Sequence, residues 1–320
     1  MIRVLESMSA ASNKLHNLKV RAELLKRARA FFDERQILEM DCPMLLQAAS
    51  IDAHIDLISC PTENQIRYLH TSPEYCMKRL LAMGMGDIYQ LGHVFRAFEY
   101  GRRHNPEFTM AEWYRVGFSF EQMMQETCEF ISLFVGDLPV IVKSYQELFL
   151  EYVDLDPFTA SLEALLLWIA KQGHTPPYNP ETDSKDDLLA YILATFIEPH
   201  LGRGVITCVP YFPKSQAALA KVKDENVAER FEVFHEGIEL ANGYHELQDA
   251  KEQRKRFIES NALREKMGKE SLTIDERFLQ ALEKGFSDCC GVAVGFDRLV
   301  MLHLKAESLE EVLPFSWVDA

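Results

Sequence analysis

Residues 95–115, FRAFEYGRRHNPEFTMAEWYR, constrain the fold of this chain more than any other stretch. Four arginines and three glutamates alternate with six aromatic residues, which is too many charges for a core strand and too many rings for a plain loop. The segments DIYQLGHVFRAFE and FTMAEWYR alternate as strands, and Gly101 and Pro106 mark the turn YGRRHNPE between them. The pattern predicts an antiparallel hairpin with charged side chains against a partly buried face.

Alternation along the returning strand assigns its side chains to faces. Glu112 and Tyr114 fall on one face, and Arg96 would share a face with acidic and aromatic groups. The turn carries three further basic side chains, Arg102, Arg103 and His104. Several cations beside a few carboxylates suit a polyphosphate joined to an amine-bearing partner. The alternative is a salt-bridged surface hairpin that binds nothing.

A second hairpin is expected in AERFEVFHEGIELANGYHEL, with its turn at residues 235–237. Glu232, Glu239 and Glu246 recur in it at intervals of seven. Carboxylates around a tight hairpin could hold Mg²⁺, which prefers oxygen ligands and commonly bridges to phosphates. The alternative is a row of glutamates that face solvent, although the apolar residues between them indicate a partly buried sheet.

The segment GVAVGFDRL indicates a third element of the same region. It is a glycine-flanked apolar strand that turns at Asp297 into a helix, with Arg298 at the start of that helix. Gly291 and Gly295 would let a ligand approach the backbone closely. The sequence contains neither GxxxxGK[ST] nor GxGxxG. If ATP binds, arginines and a metal ion must therefore hold its phosphates.

The remaining segments predict helices around this sheet. Residues 1–16 are expected to form a loose lead-in, and helical spacing from Asn17 onward runs into the short strand ILEM. Residues 71–84 are expected to form a helix that opens at TSPE. Residues 146–205 are expected to be mainly helical, with a capping box in SKDD. Strands joined by short turns with helices outside predict an α+β fold on an antiparallel sheet.

The net charge and the cysteine content limit the binding partners and the cellular compartment that the sequence predicts. The chain has 34 basic and 49 acidic residues and a net charge of −15, which makes extensive binding of tRNA or DNA unfavourable. Its seven cysteines include no CxxC pair, so neither a disulfide framework nor a zinc site is indicated. No signal-peptide core or membrane-spanning run is present in the sequence. These features predict a cytoplasmic protein that does not engage membranes.

The motifs taken together resemble the catalytic core of class II aminoacyl-tRNA synthetases, and most closely the lysyl-tRNA synthetase branch. RHNPEFTMAEWY resembles motif 2, GVAVGFDRL resembles motif 3, and the first helix with ILEMDCP resembles the dimer-forming motif 1. The similarity covers residues 17–320. It implies one catalytic domain built on an antiparallel sheet flanked by helices, with residues 146–205 as an insertion between motifs 2 and 3. It also implies a homodimer.

Only about sixteen residues precede this core, where lysyl-tRNA synthetases carry an anticodon-binding domain. In that respect, and in TSPEYCMKRLL, the chain is similar to the elongation factor P lysine ligase family. The resemblance implies that ATP and (R)-β-lysine are the substrates of an AMP-forming reaction. It further implies that a lysine side chain of elongation factor P, a protein shaped like tRNA, accepts the activated amino acid.

The resemblance also implies roles for individual residues. Arg96 would stabilise the α-phosphate during adenylation and Arg298 would clamp the γ-phosphate end, which makes these two the catalytic residues. The expected ATP-binding residues are Arg96, Ala97, Phe98, Glu99, Arg103, His104, Asn105, Phe108, Glu239, Leu240, Gly295 and Arg298. The expected amino-acid site consists of Ser72, Pro73, Glu74, Tyr114, Glu246 and Ala293. Glu232 and Glu239 would hold Mg²⁺.

Two departures from the lysyl-tRNA synthetase pattern bear on specificity. Ala97 and Phe98 follow the motif 2 arginine where Asn-Glu is usual, and the glutamate comes one place later, at Glu99. Ala293 stands where glycine is usual, and a methyl group in a substrate pocket shifts specificity by about 1–3 kcal/mol; we interpret it as favouring a β-amino acid. A truncated synthetase that charges tRNA or makes lysyl-adenylate is the alternative enzyme. A catalytically silent paralogue is the non-enzymatic alternative.

Overall fold

The computed structural model describes residues 2–176, 178, 179 and 181–320, with side chains described from Asn13 onward. Its strands are β1 (Leu38–Glu39), β2 (Leu45–Leu46), β3 (Ser59–Pro61), β4 (Ile66–Leu69), β5 (Ile88–Phe95), β6 (Glu107–Val116), β7 (Val140–Val142), β8 (Ile206–Pro213), β9 (Val227–His235), β10 (Ile238–His245) and β11 (Cys289–Gly295). Its α-helices are α1 (Ile2–Glu34), α2 (Glu74–Ala82), α3 (Phe120–Val135), α4 (Tyr145–Val153), α5 (Leu162–Lys171), α6 (Lys185–Ile192), α7 (Ala250–Lys266), α8 (Glu276–Lys284) and α9 (Phe296–His303).

Eight of the strands form one sheet in the order β1-β5-β6-β11-β10-β9-β8-β7. Only the two edge pairs, β1–β5 and β7–β8, are parallel. Strands β2, β4 and β3 form a separate small antiparallel sheet. The predicted α+β fold on a mainly antiparallel sheet is confirmed.

Both predicted hairpins form at the centre of the large sheet. β5 pairs with β6 from Ile88 opposite Tyr114 to Phe95 opposite Glu107, so the strand stops before RAFE, which belongs to the loop. β9 pairs with β10 around a two-residue turn. Glu236 and Gly237 have φ of 51° and 67° in this turn, the left-handed pair that suits the twist of a tight hairpin.

One face of the sheet is covered by α1, α3 and α9. Phe32 of α1 stacks on Tyr89 of β5 with ring centroids 4.0 Å apart, and Trp113 of β6 donates its indole N–H to Glu126 of α3 at 2.9 Å. Trp113 is fully buried there. Since side chains alternate along β6, its neighbours Glu112 and Tyr114 point to the opposite face, which carries the cleft described below.

The expected insertion at residues 146–205 packs against β8 and β9 in a second apolar cluster, in which Leu188 and Ile192 meet Val209, Phe212 and Phe234. The predicted capping box begins α6, with Ser184 accepting from the N–H of Asp186 and donating to Asp187. α6 continues as a π-helical turn over Leu193–Ile197.

Two boundaries differ from the sequence-based expectation. The lead-in expected at residues 1–16 is not loose, because α1 begins at Ile2: this segment contains no glycine or proline that would stop the helix. The helix expected from residue 71 begins at Glu74, because the Ser72 hydroxyl accepts from the Glu74 N–H at 3.0 Å and leaves residues 71–73 outside the helix. No helix in the described part of the chain is long and apolar enough to span a bilayer.

Candidate active site

A cleft of about 1370 Å³ lies over the open face of the central strands. Its lining contains every site residue expected from the sequence except Pro73, Ala97 and Phe98. The β5–β6 hairpin, β9, β10 and β11 form its floor, and α6, α7 and the loop 50–55 form its walls. A cavity of this size can hold a nucleotide and a second small ligand together.

A bulge in β10 places two of the three spaced glutamates on the same face. Residues seven apart in a regular strand point to opposite faces. Glu239 lies opposite Phe234, and Ala241 lies opposite Val233, so Leu240 is an extra residue in β10. This bulge reverses the alternation, and Glu239 and Glu246 therefore both face the cleft.

One end of the cleft is a buried cluster of carboxylates around a lysine, which we call the amine pocket: Ser72, Glu74, Lys78, Glu112, Tyr114 and Glu246. Lys78 Nζ lies 2.6 Å from Glu74 Oε1 and 2.5 Å from Glu246 Oε2, and its side chain is 1% exposed. Ser72 and Tyr114 each donate a hydrogen bond of 2.7 Å to Glu112. The pocket thus holds three carboxylates against one ammonium group.

The charges in the amine pocket favour the binding of a cationic ligand. Burial raises the pKa of Glu112 to about 7, and the negative charge of Glu74 adds to this effect. Burial alone would lower the pKa of Lys78, but Glu246 and Glu74 raise it above its ordinary value. With all groups ionised, the pocket carries two excess negative charges. A ligand with two ammonium groups would neutralise them.

Gly291 in β11 is required by the packing of the amine pocket. A Cβ at this position would lie 2.4 Å from the Tyr114 ring and 2.5 Å from Glu246 Oε1. Any larger residue would therefore displace both side chains. Gly295, at the other end of β11, has no atom closer than 3.6 Å to the corresponding position, so the cleft is open above it.

The opposite end of the cleft is basic, and Arg298 lies at its centre. Arg298 donates to the backbone oxygen of Glu239 at 2.6 Å and to His104 Nε2 at 2.7 Å. Burial, and then the charge of Arg298, lower the pKa of His104, so this histidine is a neutral acceptor at neutral pH. The guanidinium of Arg96 lies 5.2 Å from the centre of the Phe108 ring, and Arg103 also lines this end.

Some of the expected residues are placed differently. Phe98 adopts a left-handed backbone with φ of 64° and is 89% exposed, which turns its ring outward and brings Glu99 into the cleft, 3.7 Å from Arg96. Ala97 donates its N–H to the backbone oxygen of Asp56 and lies outside the lining. Pro73 also lies outside, as the N-cap of α2. The structure therefore places these three residues outside the lining of the cleft.

Asn105 lines the cleft, but the chain itself uses its amide. It donates to the backbone oxygen of Glu107 at 2.7 Å and accepts from the N–H of Trp317 at 3.0 Å. The amide thereby fixes the C-terminal segment against the β5–β6 loop.

The two expected metal ligands lie on the cleft face of the β9–β10 hairpin. Glu232 is buried and pairs with Arg230 at 2.6 Å, while Glu239 is 39% exposed. Burial raises the pKa of the nearby Glu198 to about 7, and the negative charge of Glu239 adds to this effect. Within the described ranges no three ligating side chains converge on one point. The donor set fits an Mg²⁺ ion held by one or two carboxylates and completed by phosphate oxygens.

The sequence did not single out several residues that line the cleft in the structure: Asn242, Tyr244, Gln253 and the loop 50–55. It also did not single out two residues next to the lining, Lys78, which pairs with Glu74 and Glu246, and Glu198, which lies near Glu239. A signal existed for Lys78, since it follows Glu74 by four residues on α2 and could form an ion pair there. Asn242 and Tyr244 were detectable from the register of β10, because both alternate with Glu246 on the cleft face.

The loop 50–55 is held from two sides. Tyr75 accepts from the N–H of Ile51 at 3.1 Å, beside the amine pocket, and Asp56 bonds to Ala97, next to Arg96. From behind, Arg264 at the end of α7 donates to the backbone oxygens of Asp52 and Ile55 at 2.9 and 3.1 Å, and is 4% exposed. The loop therefore connects the two ends of the cleft.

Comparison with known proteins agrees with this geometry. Residues 3–318 match the family described as tRNA synthetases class II (D, K and N). A relative from Pasteurella multocida, named elongation factor P–(R)-β-lysine ligase, is 43% identical over 317 residues, with 97% of each chain covered. Relatives of the same name from Proteus mirabilis and Haemophilus ducreyi are 44% and 43% identical, covering 95% and 94% of this chain and 96% and 94% of their own.

Proposed function

Since this chain belongs to the class II tRNA synthetases of the D, K and N type, and within them to the elongation factor P–(R)-β-lysine ligases, we propose that it ligates (R)-β-lysine to elongation factor P. ATP is the co-substrate and AMP and pyrophosphate leave. The acceptor is a lysine side chain of elongation factor P.

The observation that carries this proposal is the polarity of the cleft. Arg96, Arg103 and Arg298 line one end, and three buried carboxylates with one lysine form the other. The basic end suits a polyphosphate. When all its groups are ionised, the acidic end carries two excess negative charges, which suit a diamino acid whose carboxylate would then lie between the two ends of the cleft.

In the first step the substrate carboxylate attacks the α-phosphorus of ATP, forming the mixed anhydride and releasing pyrophosphate. Arg96 stabilises the charge that develops on the α-phosphate, and Arg298 holds the departing end. Lys78 and the three carboxylates fix the amino groups so that the carboxylate is aligned for attack. Mg²⁺, when bound by Glu239 and Glu232, would supply charge neutralisation of the phosphates.

In the second step the amine of the acceptor lysine attacks the carbonyl carbon of the adenylate, and AMP leaves with its electron pair. The amine must lose a proton, and we assign no general base to this step. The cleft residues act by keeping the adenylate in place while the acceptor side chain enters.

The direct test is to incubate the protein with ATP, Mg²⁺ and elongation factor P, offering α-lysine or either enantiomer of β-lysine. We expect the intact mass of the acceptor to rise by one lysyl residue, most rapidly with (R)-β-lysine. Purified tRNA serves as the competing acceptor. Charging of tRNA without modification of elongation factor P would favour the truncated-synthetase alternative, and no product with any isomer would refute the ligase.

We also propose a homodimer formed through α1 and the motif 1 region. Leu15 of α1 and Leu38 of β1 are apolar and 62% and 52% exposed, and β1 forms an edge of the large sheet. Such a surface is typical of association. The mass in solution at micromolar concentration tests this proposal, and a monomer would contradict it.

The affinity for the diamino acid should depend on pH through Glu112. Its pKa is raised to about 7, so below that pH the carboxyl keeps its proton and the pocket loses one negative charge. A dication must displace this proton, so its KM should rise as the pH falls, by up to about tenfold for each pH unit below about 7. Glu246 adds to the rise, because burial raises its pKa as well. Pyrophosphate exchange between pH 5.5 and 8.5 measures this. Glu112→Gln should make the slope shallower, because only Glu246 then titrates in this range, and an unchanged slope in that variant would contradict the assignment.

Replacement of Arg264 should impair both ligand sites without touching either ligand. Arg264→Met removes the donors that hold Asp52 and Ile55, so we expect KM for ATP and for the diamino acid to rise about tenfold. Arg264→Lys should restore part of the loss. Arg254→Met is the control, because Arg254 lies on the same helix in an exposed pair with Glu276. A fall in thermal stability with both KM values unchanged would leave Arg264 a purely structural residue.

A further inference from the structure

Gln253 has an unusual position in the wall of the cleft. It lies in the first turn of α7, lines the cavity, and is only 1% exposed. Both polar atoms of its side chain, Oε1 and Nε2, are buried and have no hydrogen-bond partner among the residues that the structure describes. Burying an unpaired amide destabilises the fold, because its polar atoms lose their hydrogen bonds to water and gain none in return. A buried, unpaired amide in the wall of a cavity is well placed to bind a ligand.

The contacts of α7 place Gln253 at the acidic end of the cleft. α7 begins shortly after Glu246, with Asp249 as its N-cap, and the N–H of Gln253 donates to the backbone oxygen of Asp249 at 2.9 Å. One turn further on, Phe257 packs against Tyr75 with ring centroids 5.7 Å apart. Tyr75 follows Glu74 on α2, so α7 packs beside the segment that supplies one carboxylate of the amine pocket and begins shortly after the residue that supplies another.

We propose that Gln253 hydrogen-bonds the amino-acid substrate and helps to determine which isomer is accepted. This inference rests on the proposed function. The carboxylates of the amine pocket can only accept hydrogen bonds, whereas an amide has both an acceptor and donors. Its oxygen accepts from a substrate ammonium group and its nitrogen donates to a substrate oxygen.

An amide acts differently from the carboxylates in selecting a substrate. The carboxylates attract any nearby ammonium group through charge, over several ångströms. A hydrogen bond to Gln253 depends on the position of a single group, and an isomer that lacks a partner there leaves the buried amide unpaired. Gln253 therefore discriminates between lysine isomers whose amino group is displaced by one carbon.

Gln253→Met tests this, because methionine has nearly the same shape without the polar atoms. We expect the free variant to be as stable as the wild type or more stable, since two unpaired polar atoms are removed. We expect KM for (R)-β-lysine to rise about 10–100-fold, with KM for ATP unchanged, and the preference over α-lysine to fall. Thermal unfolding and pyrophosphate exchange provide these measurements.

Gln248→Met is the matched control. Gln248 donates to the backbone oxygen of Phe286 at 2.5 Å and does not line the cleft, so its loss should lower stability and leave KM unchanged. If Gln253→Met behaves like this control, the amide has a structural role and our inference is wrong. A wild type that is inactive with every lysine isomer would overturn the proposed function as well, which distinguishes the two failures.

Discussion

Arg96→Ala should reduce the rate of adenylation about 1000-fold, the loss seen when a donor to a developing phosphate charge is removed. Arg96 follows β5 directly, its side chain is 26% exposed, and its buried Nε has no partner among the described residues. Its ion pair with Glu99, at 3.7 Å, is long and partly exposed, so its loss costs little stability. We therefore expect the variant to fold normally and to fail in chemistry. Pyrophosphate exchange at saturating substrates measures the effect.

Arg102→Ala is the control for Arg96. Arg102 lies in the same hairpin loop, but its side chain is 72% exposed and pairs with Glu307 at 2.9 Å. The net charge of the protein changes equally in both variants. We expect the rate of pyrophosphate exchange by Arg102→Ala to lie within about twofold of the wild-type rate, since an exposed ion pair contributes little to stability. A loss of less than tenfold in Arg96→Ala would show that Arg96 does not stabilise the transition state.

Lys78→Met should destabilise the fold by about 3–5 kcal/mol at pH 8, because it leaves buried carboxylates without their cation. Lys78 lies within 2.6 Å of Glu74 and Glu246. The loss should be smaller at pH 5.5. Burial raises the pKa values of Glu112 and Glu246, so these groups take up protons as the pH falls and the repulsion disappears. Denaturant unfolding at the two pH values measures both effects.

Lys26→Met is the control for Lys78. Lys26 is 72% exposed and pairs with Glu23 at 2.8 Å, so we expect a change below about 0.5 kcal/mol at either pH. A Lys78→Met variant whose loss of stability does not depend on pH would indicate lost packing, and would contradict the charge balance that we infer for the amine pocket.

The hairpins and much of the cleft were predictable because their signals are local. The turn at Glu236-Gly237 and the alternation of β6 are encoded within a few residues, and motifs 2 and 3 line the cleft in the structure. The capping box at Ser184 was predictable for the same reason, since its two residues, Ser184 and Asp187, lie within one helical turn in sequence. The alternation of side chains along a strand also predicted that Glu112 and Tyr114 lie on the same face of the sheet.

Long-range packing accounts for what the sequence did not reveal. In sequence, Lys78 resembles a surface lysine paired with Glu74, and only Glu246, which directly follows β10, makes it a buried cation. The outward position of Phe98 depends on its left-handed backbone, which is unusual for an aromatic residue. The loop 50–55 contains no motif, and its place over the cleft comes from Arg264, far along the chain.

The extra residue at Leu240 has a consequence for how this chain can change in length. Glu239 lies at the basic end of the cleft and Glu246 at the acidic end. Both face the cleft only because Leu240 has no partner in β9. Inserting or deleting one residue between them would turn one of the two carboxylates to the far side of the sheet. Changes by two residues would keep both in place. Length variation in this segment is therefore compatible with a working cleft only in even steps.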